Sequence, residues 1–121
     1  MPIKDDLKNI ERALSVARET VSKYTSGRIQ STLKAGGDPV TEADLELDRV
    51  LKAELVKDGD GWLSEETVDD MSRLDKSRVW IVDPIDGTRE FVQGIDEWCI
   101  SVALSINGTI EAAGICNPAR D

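Results

Sequence analysis

Val79-Trp80-Ile81-Val82-Asp83-Pro84-Ile85-Asp86-Gly87-Thr88 is the stretch on which the reading of this chain turns. A run of apolar residues leads straight into an acid, the pattern of a short buried strand. That strand delivers Asp83 at its C-terminal end, and Pro84 keeps Asp83 extended while donating no backbone hydrogen bond. Asp86 follows, so both carboxylates and the intervening Ile85 carbonyl are expected to converge on one side of a tight turn. Hard oxygens on a rigid turn suit Mg2+, which takes one or two carboxylates and leaves its other positions to water and phosphate. Gly87 permits close approach, and Thr88 with the following amides opens a short helix whose positive end faces an anion. On spacing alone a structural reading stands equal to this one: an ordinary Asp-Gly turn, with Asp83 as a helix cap.

Downstream, Trp98 to Ile106 and Thr109 to Cys116 read as strands joined through Asn107-Gly108, a pair favoured in two-residue hairpin turns because both central residues need positive φ. Upstream, Gly61-Trp62-Leu63-Ser64 is another short apolar run ended by acids. Two helices precede it. From Pro2 to Tyr24, apolar residues at Ile3, Leu7, Ile10, Leu14, Ala17, Val21 and Tyr24 alternate steps of four and three, which predicts an amphipathic helix stopped by Thr25-Ser26-Gly27. A short extended piece from Ile29 to Lys34 and a loop at Gly36-Gly37-Asp38-Pro39 follow. The second helix starts at the capping-box pattern Thr41-Glu42-Ala43-Asp44, with Ala43, Leu47, Val50, Leu51 and Leu55 as its apolar stripe. Helices first and strands later predict an α+β fold, a helix pair layered on a mostly antiparallel sheet.

The chain has 121 residues, a length that fits one domain. With 15 Lys and Arg against 24 Asp and Glu, its net charge of −9 excludes nucleic-acid polymers as partners, because no basic surplus is available to displace counterions. The absence of His excludes imidazole acid-base chemistry and His-containing zinc sites. Cys99 and Cys116 sit in apolar surroundings without Cys-x-x-Cys spacing and read as small buried thiols of a reducing compartment. No apolar run is long enough to span a membrane, and the expected location is the cytoplasm. Between Asp58 and Asp70 lie six acids and no basic residue. Asp58, Asp60, Asp69 and Asp70 read as a solvated loop. An EF-hand register through Gly61 puts Val56 and Thr67 where calcium needs carboxylates, and so fails. Asp44 has a complete structural explanation in the capping box.

Three ordered segments change what these acids imply: Asp38-Pro39-Val40-Thr41-Glu42-Ala43-Asp44, Ser64-Glu65-Glu66-Thr67, and Trp80-Ile81-Val82-Asp83-Pro84-Ile85-Asp86-Gly87-Thr88. In this order they resemble the inositol monophosphatase superfamily of Mg2+-dependent, lithium-sensitive phosphomonoesterases. The resemblance implies the N-terminal half of an αβαβα sandwich, with residues 1–121 as a metal-binding α+β unit. It implies Glu65, Asp83 and the Ile85 carbonyl as ligands of a first metal, and Asp83 with Asp86 as ligands of a second. It further implies that Asp44 and Thr88 pair to orient the attacking water beside Glu65, a role preferred here over simple capping for Asp44. The Gly87 and Thr88 amides would hold phosphate oxygens, Lys34 matches a family lysine near the metal waters, and Glu66 supports the loop.

Arg89-Glu90-Phe91 resembles the 3′(2′),5′-bisphosphate nucleotidase branch, whereas Val92-Gln93-Gly94 stands where inositol phosphatases often carry Val-His-Gly. The nucleotidase is the preferred reading and inositol-1-phosphate phosphatase the alternative. Family members are about twice this long, with a Trp-Asp motif that is absent here. The chain is therefore expected to be the first half of such an enzyme, and a catalytically inactive metal-binding module is the further alternative. The resemblance also implies a small phosphorylated substrate and a homodimer.

Overall fold

The computed structural model describes residues 3–24, 31–33, 39–57, 59–66 and 71–119. In chain order they form α1 (Ile3–Val21), β1 (Ser31–Leu33), β2 (Pro39–Thr41), α2 (Glu42–Leu55), β3 (Gly61–Ser64), β4 (Arg78–Asp86), α3 (Thr88–Gln93), β5 (Cys99–Ile106) and β6 (Thr109–Cys116), with one 3-10 turn at Ser72–Asp75. β1 and β2 pair antiparallel by themselves. The main sheet has the order β3-β4-β5-β6, in which β3 lies parallel to β4 and the other pairs are antiparallel. The fold is α+β on a mostly antiparallel sheet, as the order of periodicities predicts. The parallel β3–β4 pair was not legible, because each strand alone is a short apolar run with no directional signal.

One sheet face packs against the helix pair. Trp80 and Val82 of β4, Ile100, Val102 and Leu104 of β5, and Ala112 of β6 are buried in a single cluster with Leu47, Leu51 and Leu55 of α2 and Ile10, Ala13 and Ala17 of α1. Each fully buried Leu or Ile contributes on the order of 1.5–3 kcal/mol by leaving water. The hairpin turn forms as expected, with Asn107 at φ 52° and Gly108 at φ 85°.

α1 differs from its predicted stripe. Leu7 is 43% exposed, and the buried line runs Asp6, Ile10, Ala13, Ala17 and Val21 instead. The rotation is explained by Asp6, which is fully buried because the Arg78 guanidinium reaches it: Nη2 donates to Oδ1 at 2.9 Å and Nη1 to Oδ2 at 3.3 Å. Arg78 Nε also donates to Asp60 Oδ1 at 3.2 Å, and the Trp80 indole Nε1 donates to Asp60 Oδ2 at 3.0 Å. Asp60 is therefore not a solvated loop acid. Its side chain is 5% exposed and ties the entry of β3 to the start of β4. Asp58, Asp69 and Asp70 lie outside the described residues. The two thiols are also less enclosed than expected: Cys99 and Cys116 are both half-buried, and Arg18 Nη2 donates to Cys116 Sγ at 3.5 Å. Among the described residues no helix is long and apolar enough to cross a membrane.

Candidate active site

β4 does not end at Asp83, and Asp83 to Asp86 is not a tight turn beyond the strand. The strand continues to Asp86 through a bulge, with Asp83 opposite Ser101 and Asp86 opposite Cys99. Three steps along β4 thus face two steps along β5. In a regular strand Asp83 and Asp86 would point to opposite faces, because side chains alternate. The inserted residue cancels that alternation: Ser101 and Cys99 share a face of β5, so both acids stand on that same face. Pro84, which has no N–H for a ladder, sits buried within the bulge beside buried Ile85. The Cys99 thiol reports the result. Burial first, then the charges of Asp86 and Asp83, push its pKa up.

Asp44 is fully buried at the first turn of α2 and serves both roles that the sequence set in competition. Its Oδ2 accepts from the Thr41 backbone N–H at 2.8 Å and from Thr41 Oγ1 at 2.5 Å, while its own N–H donates to Thr41 Oγ1 at 3.2 Å, completing the capping box. Its other oxygen, Oδ1, accepts from Thr88 Oγ1 at 2.8 Å. Thr88 Oγ1 also lies 3.0 Å from the Ile85 carbonyl oxygen, so its single proton has two acceptors. The carboxylate cap, the threonine hydroxyl and the carbonyl are one connected unit spanning α2 and the end of β4.

Gly87 makes that unit possible. Its φ of +98° turns the chain from β4 into α3, and a Cβ there would lie 2.7 Å from the Glu97 carbonyl oxygen and 3.2 Å from Trp98 Cα. Phe91 of α3 anchors the helix edge-on against Trp98, with ring centroids 4.9 Å apart. Gly87→Ala is expected to destabilise the protein by about 1–3 kcal/mol from backbone strain alone. Contact with the Glu97 carbonyl adds to that, so a urea midpoint unchanged from the parent would refute this account of the turn.

Glu65 follows β3 directly and is exposed, its N–H donating to the Val82 carbonyl at 3.3 Å. It therefore stands at the same end of the sheet as Asp83. The structure does not gather it with Asp83 and Asp86 into one cluster: among the described residues, no three Asp, Glu or Cys side chains stand close enough to enclose an ion. Two carboxylates on one face and the backbone carbonyl of the intervening Ile85 are all-oxygen donors, the chemistry that suits a hard divalent cation keeping several waters. Lys34 lies outside the described residues. Beside Asp86 and Gly87 opens a shallow depression of about 320 Å³, also lined by Glu90, Glu97, Trp98 and Asn117.

Sequence reasoning missed Asp48 altogether. It lies one turn after Asp44 on the same buried face of α2, and its Oδ1 accepts from Ser64 Oγ at the end of β3. The available signal was the spacing of the two acids along a helix whose other stripe positions are apolar.

Known proteins share this fold. The sequence model of the inositol monophosphatase family matches residues 4–121. The chain is 41% identical over 95 residues to the inositol-1-monophosphatase of Rhizobium meliloti, an alignment covering 77% of this chain and 35% of that protein. It is 47% identical over 95 residues to the 3′-phosphoadenosine 5′-phosphate phosphatase of Mycobacterium bovis, covering 74% of this chain and 34% of that protein. The crystal structure of the extragenic suppressor protein suhB from Bartonella henselae superposes with a TM-score of 0.80 at 29% identity, over 94% of this chain and 45% of that one. The chain thus spans about a third of the length of these curated relatives and under half of the solved one. Matched by the family's sequence model from residue 4 to its last residue, the chain belongs to the inositol monophosphatase family.

Proposed function

We propose that this protein is the metal-binding part of a phosphoric monoester hydrolase that uses Mg2+ to split small phosphate monoesters. The observation that carries the reading is the bulge in β4, which turns Asp83 and Asp86 to one face just before Thr88, whose hydroxyl donates to Asp44. Asp83, Asp86 and the Ile85 carbonyl would hold the cation, with Glu65 approaching from the neighbouring strand end. When bound, the cation supplies Lewis-acid stabilisation of the phosphoryl oxygens and acidifies a coordinated water.

The remaining work belongs to the chain's own groups. Were the Ile85 carbonyl engaged by a cation, the Thr88 hydroxyl would be left with Asp44 Oδ1 as its acceptor. The Thr88 oxygen then keeps its lone pairs for the proton of an attacking water, which it orients. Asp44 is itself fixed by Thr41, so this geometry is set before substrate arrives. The Gly87 and Thr88 amides face the phosphate, and the depression beside Asp86 receives the leaving group.

Among substrates, adenosine 3′,5′-bisphosphate is preferred. The 47%-identical relative and the Arg89-Glu90-Phe91 run support it. Inositol 1-phosphate is the second reading, supported by the 41%-identical relative. Phosphate release from each, measured with Mg2+ and with and without lithium, tests the proposal. Mg2+-dependent, lithium-inhibited release that favours the bisphosphate is the expected result. Equal, metal-independent rates on both would overturn it.

A further inference from the structure

We infer that Asp48 is a positioning residue for Glu65, holding the loop after β3 as Asp44 holds the loop after β4. The inference rests on the reading of Glu65 as a functional carboxylate. Asp44 and Asp48 sit one helical turn apart on α2, and both are buried. Neighbours four apart along a helix share a face, so both reach the same end of the sheet. Asp44 meets Thr88, two residues after β4 ends, and Asp48 meets Ser64, the last residue of β3.

Ser64 relays the contact. It is 7% exposed, its hydroxyl donates to Asp48 Oδ1, and the same oxygen accepts the Glu66 backbone N–H at 3.2 Å. Glu65 lies between these two anchored points, with its own N–H on the Val82 carbonyl. Its backbone is thus held at its own N–H and through both sequence neighbours, while the residue stays exposed. A buried carboxylate is costly unless hydrogen-bonded, and a hydrophobic residue at this stripe position would pack without that cost. To the Ser64 hydroxyl the carboxylate adds a directional anchor, and through it one for the turn that carries Glu65.

The test is Mg2+ binding by calorimetry, together with thermal melting of the metal-free protein. Partners that orient metal ligands are worth about 10–100-fold in metal affinity. Asp48→Ala and Ser64→Ala are each expected to weaken Mg2+ binding at least tenfold, and the double variant no further, because the two act through one bond. Asp48→Asn, which keeps an acceptor oxygen for Ser64, is expected to restore most of the affinity. Ser64→Ala removes only a hydroxyl, so it decides the matter if Asp48→Ala fails to fold. Melting temperatures that fall in both alanine variants while Mg2+ affinity stays at the parent value would overturn the inference and leave Asp48 structural. Glu65→Gln separates the two claims: unchanged affinity there removes the role of Glu65, and this inference with it. A loss at Glu65→Gln without one at Ser64→Ala removes this inference alone.

Discussion

Asp83→Asn is expected to abolish measurable Mg2+ binding and, with it, any phosphate release. The substitution keeps side-chain shape and leaves the extended backbone opposite Ser101 intact, so the bulge and the strand register survive. What disappears is the negative charge that the family resemblance assigns to both metal positions and that the proposed cation site needs. Residues that merely orient a ligand are worth about 10–100-fold in metal affinity, so loss of the shared ligand should exceed that range. Calorimetric titration with Mg2+ reads the effect directly, and circular dichroism shows that the fold is retained. Asp60→Asn is the comparison. Asp60 faces Arg78 and Trp80, far in function from the acids of β4, and its replacement should alter stability and leave Mg2+ affinity at the parent value. Cation binding lost in Asp60→Asn and kept in Asp83→Asn would move the metal site to the acidic loop.

Arg78→Leu is expected to cost about 3–5 kcal/mol of folding stability, the range for removing one partner of a buried ion pair. Asp6 is fully buried, and the Arg78 guanidinium donates to both of its carboxylate oxygens. The hydrogen bond donated to Asp6 first, then the charges of Asp6 and Asp60, hold the guanidinium above its ordinary pKa against the opposing effect of burial. Against a total stability of about 5–15 kcal/mol, such a loss leaves a marginal protein. Asp6→Leu combined with Arg78→Leu should recover much of the loss, since the buried charge goes together with its partner. Urea unfolding of the single and double variants measures this. A single variant within about 1 kcal/mol of the parent would mean that the pair behaves as an exposed one.

Much of the architecture could be read before the structure. Alternating apolar steps placed α1 and α2, Asn107-Gly108 placed the hairpin, and the capping box at Thr41 to Asp44 formed as read. These signals are local: a helical stripe, a positive-φ pair and a cap each involve residues within one or two turns of one another. The errors share the opposite property. Leu7 was placed inside and Asp6 outside because the partner that buries Asp6 is Arg78, at the far end of the sequence separation that α1 and β4 bridge. Asp60 read as solvated for the same reason.

The candidate site divides along that line. By itself the sequence determined which groups are available: carboxylates at Asp44, Glu65, Asp83 and Asp86, a hydroxyl at Thr88, a flexible point at Gly87, and no imidazole. Only the tertiary structure decided how they are aimed. The bulge against β5 puts Asp83 and Asp86 on one face, and the packing of α2 on the sheet lets Asp44 cap its helix with one oxygen and hold Thr88 with the other. The parallel pairing with β4 sets Glu65 at the same end of the sheet, beside the Ser64 hydroxyl that Asp48 holds. Residue chemistry is carried by the chain, but direction depends on which strand lies alongside and where its register slips, and that is settled only when distant segments pack.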